Sequence, residues 1–401
     1  MVSKSLNIGI IGAGIGGLAL AIALKQKGQR VTIFEKSKFF QNIGSGLQIS
    51  PNGMKVLREL GLEQTVEKLA LKTESILLKN GFNGKTVGKI PLGLNAKQRF
   101  SANFFQIHRA DLIEVLVAEL KRLKIKLRMD TIARVKKSLS ISRKPIVIHE
   151  KKESEFDVII GADGIHSLTR LKCFNAKKPK FLRQVAYRGT VPIIDVPSLF
   201  LEPSVQIFLG PGMHVVCYPL PNRSLVNFIF CKEQASWLSD GWSIPGKKQE
   251  VINLFQKFEP LKSTMEKLSV IHKWGLFGYE NMDNWVSGRI VLMGDACHPM
   301  LPYLSQGANQ ALEDALSLSH YLSSQLTGTC EDRLRLYFLN RANRVSRVQT
   351  ASMRNAWAYH LRNPVGRPLA HLGLKTITHN APNFLLSRFD WLYGYENNFG
   401  L

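Results

Sequence analysis

The sequence predicts an α/β protein. A Rossmann-like domain is assembled from discontinuous segments, a β-rich domain is inserted between them, and a helical tail closes the chain. Three observations predict this. The segment from Ile8 to Glu35 reads strand, glycine-rich turn, helix, strand. Two further buried strands, far along the chain, also end on glycine and aspartate, at Gly161-Ala162-Asp163-Gly164 and at Gly294-Asp295. Between them, residues 185–232 alternate as strands do and are broken by the turns Gly210-Pro211-Gly212 and Pro221-Asn222.

In the opening segment the apolar run Ile8-Gly9-Ile10-Ile11 reads as a buried strand, and Gly12, Gly14 and Gly17 then form G-x-G-x-x-G. Gly12 makes the turn out of the strand, Gly14 lets a pyrophosphate approach the backbone, and Gly17 lets the helix lie close on the sheet. The free N–H groups at the helix start face the phosphates. Gly28 closes the helix, and the strand Val31–Phe34 ends on Glu35. That acid lies roughly 20 residues past the glycines, where a carboxylate accepts hydrogen bonds from ribose hydroxyls. Lys36, beside it, joins the candidate cofactor-binding residues. The same run is apolar enough to suggest a signal or membrane segment, but its central glycines and short length argue against a span.

Downstream, Gly44 and Gly46 mark a loop leading to Leu47-Gln48-Ile49. Ser50-Pro51 reads as an N-cap with proline in the first helical position, opening a helix Asn52–Leu60 that stops at Gly61. From Glu74 to Phe105 the pattern is that of strands, with Asn80-Gly81 as a hairpin turn. Arg109 precedes an amphipathic helix whose Leu112, Val115, Leu116 and Leu120 keep helical spacing. Strands follow at Thr131–Ser140, Ile146–Glu150 and Phe156–Ile160. The β-rich block offers strands at Val185–Val191, Val205–Leu209, His214–Tyr218 and Leu225–Cys231. Helices near Lys247–Phe258 and Leu261–Leu268 lead to the strand Arg289–Met293. Long helices are expected from Gly307 to about Leu326 and over Glu331–Tyr359, and then a proline-containing tail of short helices. The domain boundaries read from this are 1–70, 106–180 and 276–360 for the nucleotide domain, 71–105 and 181–275 for the β-rich domain, and 361–401 for the tail.

Composition bounds the rest. With 401 residues and 45% hydrophobic content, the chain has room for two interleaved domains and no low-complexity linker. The five cysteines are scattered and never form C-x-x-C, which fits a reducing cytoplasm with neither disulfide framework nor metal site. No secretory or lipidation signal is evident. The net charge of +24 comes from 54 basic against 30 acidic residues spread along the chain. Without a nucleic-acid motif it reads as a solvated basic surface, which leaves room for weak contact with a membrane surface. A monomer and a homodimer are equally compatible with the sequence.

The strand ending in Gly161-Ala162-Asp163-Gly164 delivers a carboxylate to a turn. The one ending in Gly294-Asp295 places Asp295 to bind polyol hydroxyls. After it, Pro302 and the loop to Gln306 lead to Gly307-Ala308 at the start of an apolar helix, whose N–H groups suit a ring that becomes anionic on reduction. Taken together, the three segments resemble the FAD-dependent aromatic hydroxylases, the single-component flavoprotein monooxygenases with the p-hydroxybenzoate hydroxylase fold. The resemblance runs from about Leu6 to Phe389–Tyr393. Gly294–Ala308 is most similar to the salicylate hydroxylase and 3-hydroxybenzoate 6-hydroxylase branch.

This resemblance implies a Rossmann-like FAD-binding domain. Gly12, Gly14, Gly17 and Glu35 would hold the pyrophosphate and adenosine ribose, and Arg109 the phosphate or ribityl region. Asp163 is associated with FAD and the reduced nicotinamide, Asp295 with the ribityl chain, Gly307 and Ala308 with the isoalloxazine, and Gln48 with the cofactor loop. NADH or NADPH would bind transiently, since no second glycine motif exists. Oxygen would be activated as a flavin C4a-hydroperoxide and transferred to a small phenolic acid, salicylate being the most specific expectation. His214 matches a substrate-contacting histidine of that branch and is the candidate base. Tyr218 shares its strand face, and Pro302 lies in the substrate loop. Arg188 is a less favoured partner for a substrate carboxylate. Two other readings stay open: a monooxygenase or epoxidase for a larger polycyclic, quinone or isoprenoid substrate, and a non-catalytic binding protein on the same fold.

Overall fold

The computed structural model describes residues 5–40, 46–136, 144–239, 241, 243–279, 282–323 and 328–397. Its first layer is a six-stranded sheet. The strand Asn7–Ile11 lies between Val158–Gly161 and Arg30–Phe34. Ile290–Leu292 and Val286–Ser287 extend the sheet on one side and Lys126–Arg128 on the other. All pairings are parallel except the outermost, between Val286–Ser287 and Ile290–Leu292. Crossovers leave the central strand in opposite directions, so the crevice opens at its C-terminal end. Register brings the distant motifs together there: Phe34, Ile11, Gly161 and Leu292 stand side by side in one row. Each glycine motif begins within two residues of that row.

The helix Ile15–Gln26 is buried on every side through Leu24, which explains why its sequence is apolar without a helical stripe. It packs against the helix Gly307–Ser323 so closely that a Cβ on Gly16 would lie 3.0 Å from that of Ala311. Ile22, Leu24, Leu312 and Leu318 are fully buried in the shared core, each stabilising the fold by about 2 kcal/mol. No described helix is long and apolar enough to cross a membrane.

The second layer is an eight-stranded sheet. Its strands run Ser243–Pro245, His272–Gly278, Lys180–Pro192, Leu225–Glu233, Met213–Leu220, Ser204–Gly210, Ser75–Asn80 and Thr86–Pro91. Strict alternation gives it two faces. Tyr187, Phe208, Val215, Phe228 and Phe230 pack on one side with Val251 and Phe255 of the helix Lys248–Phe255. The residues between them, Arg188, Ile229, Val216 and Ile207, form a row on the other side, which faces the first layer.

Several expectations are corrected. Residues 74–105 are not all strand: Gly93–Phe100 is a helix burying Ala96 and Phe100, a stripe too short to show in the sequence. Glu63–Leu69 is a helix that buries only Val66, so it carried no periodic signal. Ser50 occupies the N-cap position before Pro51, but its hydroxyl does not cap the helix. It donates to Asn52 Oδ1 (2.6 Å) and accepts from Gln306 (2.9 Å) instead. The tail opens with a longer helix than expected, Gly366–Asn380, with Pro368 in the first turn, where no N–H is needed. The other expected elements stand within a few residues of their places, and the strand expected over 185–191 extends over Lys180–Pro192. Gly44, the end of the strand expected to Ser140, and residues 324–326 of the long helix lie outside the described residues.

Candidate active site

The glycine turn shows why each glycine is there. Gly12 has φ +109°, and a Cβ on it would sit 2.3 Å from the carbonyl oxygen of Ala162. A Cβ on Gly17 would sit 2.2 Å from the carbonyl oxygen of Gly12. These two glycines fix close approaches within the fold. Gly14 differs: nothing lies within 4 Å of its missing Cβ, although it lines the same large cavity as Gly17. Glu35 Oε2 accepts the N–H of Ala13 (2.8 Å), and Oε1 accepts that of Ser37 (2.9 Å). The acid is therefore locked beside the turn. Lys36 is exposed and is not among the lining residues.

Asp163 is placed otherwise than a ligand-reaching carboxylate. It accepts from the Ser167 hydroxyl (2.5 Å) and from the N–H and hydroxyl of Thr169 (both 3.0 Å). Its neighbours Ala162 and Gly164 line the cavity in its stead.

Asp295 opens on the cavity, as do Arg109, Gln48, Gly307 and Ala308. Loss of solvation raises the Asp295 carboxyl, with His298 and Arg109 opposing. Burial, and then Arg188, lowers Arg109. No atom lies within 4 Å of a Cβ built on Gly307, so the helix start is bare backbone towards the cavity. Beneath it lies a polar cluster that sequence reasoning missed. Asp314 joins His298, Arg341 and the N–H of Gly294, and Glu313 joins Arg341, Arg344 and Asn52. Asn309 reaches from the same helix to the carbonyl of Gln48 (3.0 Å). The available signal was a pair of acids, Glu313-Asp314, in an apolar helix, matched by Arg341 and Arg344 on the next one.

The opposite wall is the inward face of the eight-stranded sheet. Ile76, Ile90, Val205, Ile207, Val216 and Ile229 make it apolar. His214, Tyr218 and Arg188 are the polar exceptions. The shared face expected for His214 and Tyr218 is observed, and both are almost fully buried. Burial, followed by His360, holds the His214 imidazole well below its ordinary range. Burial pushes the Tyr218 hydroxyl up, against Arg188 and a hydrogen bond from Gln48. Pro302 starts the turn Pro302–Leu304 at the rim. Cys297 and His298, tempting as a nucleophile or metal pair, are buried behind the loop, and no group of metal-holding side chains occurs among the described residues. The five cysteines are free thiols.

The cavity thus joins a dinucleotide-type glycine turn to a buried apolar wall carrying an imidazole. This is the arrangement of a nucleotide-cofactor enzyme whose cofactor reaches from the sheet crevice to a substrate chamber. The chain belongs to the FAD binding domain family, whose model matches residues 5–352, and it is an FAD-dependent monooxygenase. It is 32% identical over 395 residues to the 3-amino-4-hydroxybenzoate 2-monooxygenase of Streptomyces cremeus, covering 98% of this chain and 96% of that one. It is 30% identical over 398 residues to the 3-hydroxybenzoate 6-hydroxylase 1 of Aquipseudomonas alcaligenes, covering 97% and 98%. A solved salicylate hydroxylase substrate complex superposes with a TM-score of 0.80 at 25% identity, covering 98% of this chain and 96% of that one. The fold and family expected from the three motifs are those found.

Proposed function

We propose that the protein hydroxylates a small phenolic acid, with NADH or NADPH as reductant and O2 as oxidant. The observation that carries this reading is His214: a buried imidazole on an apolar wall, across one cavity from the bare start of the helix Gly307–Ser323. Three of the most similar relatives carry hydroxybenzoate in their names. The residues present suit FAD. Gly14 and Gly307 leave room beside bare backbone, and Glu35 stands fixed next to the turn. We assign Gly12, Gly14, Gly17 and Glu35 to the adenosine and pyrophosphate end. Arg109 and Asp295 are assigned to the phosphate and ribityl region, and Gly307, Ala308 and Gln48 to the ring. Asp163 acts indirectly, holding the turn that presents Ala162 and Gly164.

FAD held by these residues would supply the redox chemistry, in which two electrons come from the nicotinamide, one oxygen atom of O2 goes to the ring and the other becomes water. The protein's own work is to prepare the substrate. His214 accepts the phenolic proton, which raises electron density in the ring. Tyr218, two positions beyond Val216 on the same strand face, lines the cavity further along the wall, with Gln48 and Arg188 around its hydroxyl. The aliphatic wall excludes water from the reacting face. Arg109 and Arg188 against the single lining carboxylate of Asp295 favour anionic ligands.

The test is a screen of 3-hydroxybenzoate, 3-amino-4-hydroxybenzoate, salicylate and 6-hydroxynicotinate on the purified flavoprotein. At least one should accelerate NAD(P)H oxidation and yield a product heavier by one oxygen. Acceleration by none of them, or by larger uncharged polycycles alone, would sink the phenolic-acid reading.

A further inference from the structure

The imidazole in the cavity is connected to the surface. His214 Nδ1 lies 2.8 Å from His360 Nε2, and His360 Nδ1 lies 3.2 Å from Glu233 Oε1. His214 and His360 are 1% and 3% exposed, whereas the Glu233 side chain is 35% exposed. The three come from different elements. His214 stands on the strand Met213–Leu220, Glu233 ends the strand Leu225–Glu233, and His360 follows the long helix Cys330–Tyr359. Backbone bonds hold them in place: Gly212 N–H donates to the His360 carbonyl (3.1 Å), and Glu233 N–H donates to that of Gly212 (3.0 Å). Arg362 donates twice to Glu233 Oε2 (2.5 and 3.1 Å).

The direction of each bond follows from the end of the chain. An ionised carboxylate only accepts, so His360 Nδ1 carries the hydrogen given to Glu233. In the neutral ring, Nε2 of His360 is then a lone pair, and it accepts the hydrogen on His214 Nδ1. That leaves Nε2 of neutral His214 as a lone pair, on a residue that lines the cavity. A surface glutamate thereby sets the tautomer a base needs.

We propose that His360 and Glu233 are a proton relay that carries the phenolic proton from His214 to solvent; this rests on the reading of His214 as the base. The substrate O–H bond breaks as an N–H bond forms at His214 Nε2. The Nδ1 hydrogen of His214 passes to His360 Nε2, that on His360 Nδ1 passes to Glu233, and Glu233 releases it to water. The reverse sequence returns a proton to the product phenolate and restores both tautomers. The surroundings favour passage over storage. The rings of Tyr303, Tyr359 and His360 stand 5.0, 5.3 and 5.0 Å from that of His214, and Cys231 is its cross-strand partner. None of these carries a negative charge that would hold an imidazolium at His214, and burial disfavours the charged form on both histidines. Glu233, which opposes that effect on His360, and Arg362 are the charged groups at the outer end.

The test uses the FAD-loaded enzyme mixed rapidly with 3-hydroxybenzoate, 3-amino-4-hydroxybenzoate or salicylate in weakly buffered solution containing a pH indicator. Wild type should release a proton as the phenol binds. His360→Ala should slow that release about tenfold to a hundredfold, with KM and flavin content kept, and added imidazole should restore it. Glu233→Gln, a surface change that spares folding, should slow release and shift the pH profile of kcat. Release at the wild-type rate in either flavin-loaded variant, or slowing of His360→Ala that imidazole does not relieve, would overturn the relay. Wild type that releases no proton with any of the three acids would instead overturn the reading of His214 as the base.

Discussion

His298 Nε2 lies 2.5 Å from Asp314 Oδ2, and the same oxygen accepts the N–H of Gly294 at 2.9 Å. One buried carboxylate thus ties the loop that carries Asp295 to the helix that begins at Gly307. Burial alone would raise the Asp314 carboxyl, but His298 and Arg341 outweigh it and bring it down to about 2, from 3.8. A depressed carboxyl stabilises the native state above its unfolded value. That stability, about 2 kcal/mol, is lost as pH falls from about 4 towards 2. Asp314→Asn should remove it and leave Arg341 poorly paired, costing roughly 3 kcal/mol at neutral pH. Denaturant unfolding at pH 7 measures this, and an unchanged midpoint would show that the carboxylate does not hold the loop.

Gly14 and Gly17 separate folding from binding. Gly17→Ala forces a Cβ to within 2.2 Å of the Gly12 carbonyl oxygen, so it should unfold the turn and lower the melting temperature. Gly14 has φ −72° and ψ 177°, open to any residue, with no atom within 4 Å of its missing Cβ. Gly14→Ala should therefore melt like wild-type apoprotein yet bind FAD at least about tenfold more weakly, since only the approach of a ligand is blocked. Flavin absorbance per protein after purification, beside the melting curve, reads both effects. Full flavin content in Gly14→Ala would remove that residue from the cofactor site.

These contrasts show which parts of the molecule were legible in the sequence. The glycine turn was, because it packs a strand, a turn and a helix into one short stretch with a fixed chemical job. The eight-stranded sheet was legible as two sets of strands in one domain, but not in its pairing. Its edge comes from residues 75–91 and joins through the pairing of Ile76 with Val205, which no local pattern encodes. The partners of Asp163 were not legible, because a carboxylate at a strand end looks the same whether it turns to a ligand or to Ser167 and Thr169. The charged cluster at Asp314 and Arg341 left a partial signal, acids in one apolar helix and arginines in the next, but not its pairing. The contact of His214 with His360 left none, because partners on separate elements have no spacing to read.

Asp295 is expected to act in binding and not in folding. It is exposed, towards the cavity, and loss of solvation raises its carboxyl, with His298 and Arg109 opposing. A carboxylate that solvent reaches contributes little to the stability of the fold. Asp295→Asn should leave the apoprotein about as stable as wild type at pH 7.5 while weakening FAD binding about tenfold or more. Calorimetry of the apoproteins and titration with FAD measure the two sides. Wild-type FAD affinity would withdraw Asp295 from the ribityl region.

His214→Asn tests the chemistry itself. The variant should still take electrons from NAD(P)H but release hydrogen peroxide in place of hydroxylated product, because an un-ionised phenol reacts too slowly with the oxidant. The pH response discriminates further. Burial and His360 hold the wild-type imidazole well below 6.5, so it stays an unprotonated acceptor throughout the neutral range. Coupled hydroxylation by wild type should accordingly be flat from about pH 6.5 to 8 and fall only on the acid side. In the variant the acid limb should vanish, and coupling should climb with pH towards the phenol's own ionisation near 10. Peroxide and product, quantified together from pH 5.5 to 9, give both curves. If the variant matched wild type in coupling at pH 7, the proton would leave by another route, and the wall of the cavity would be acting through shape alone.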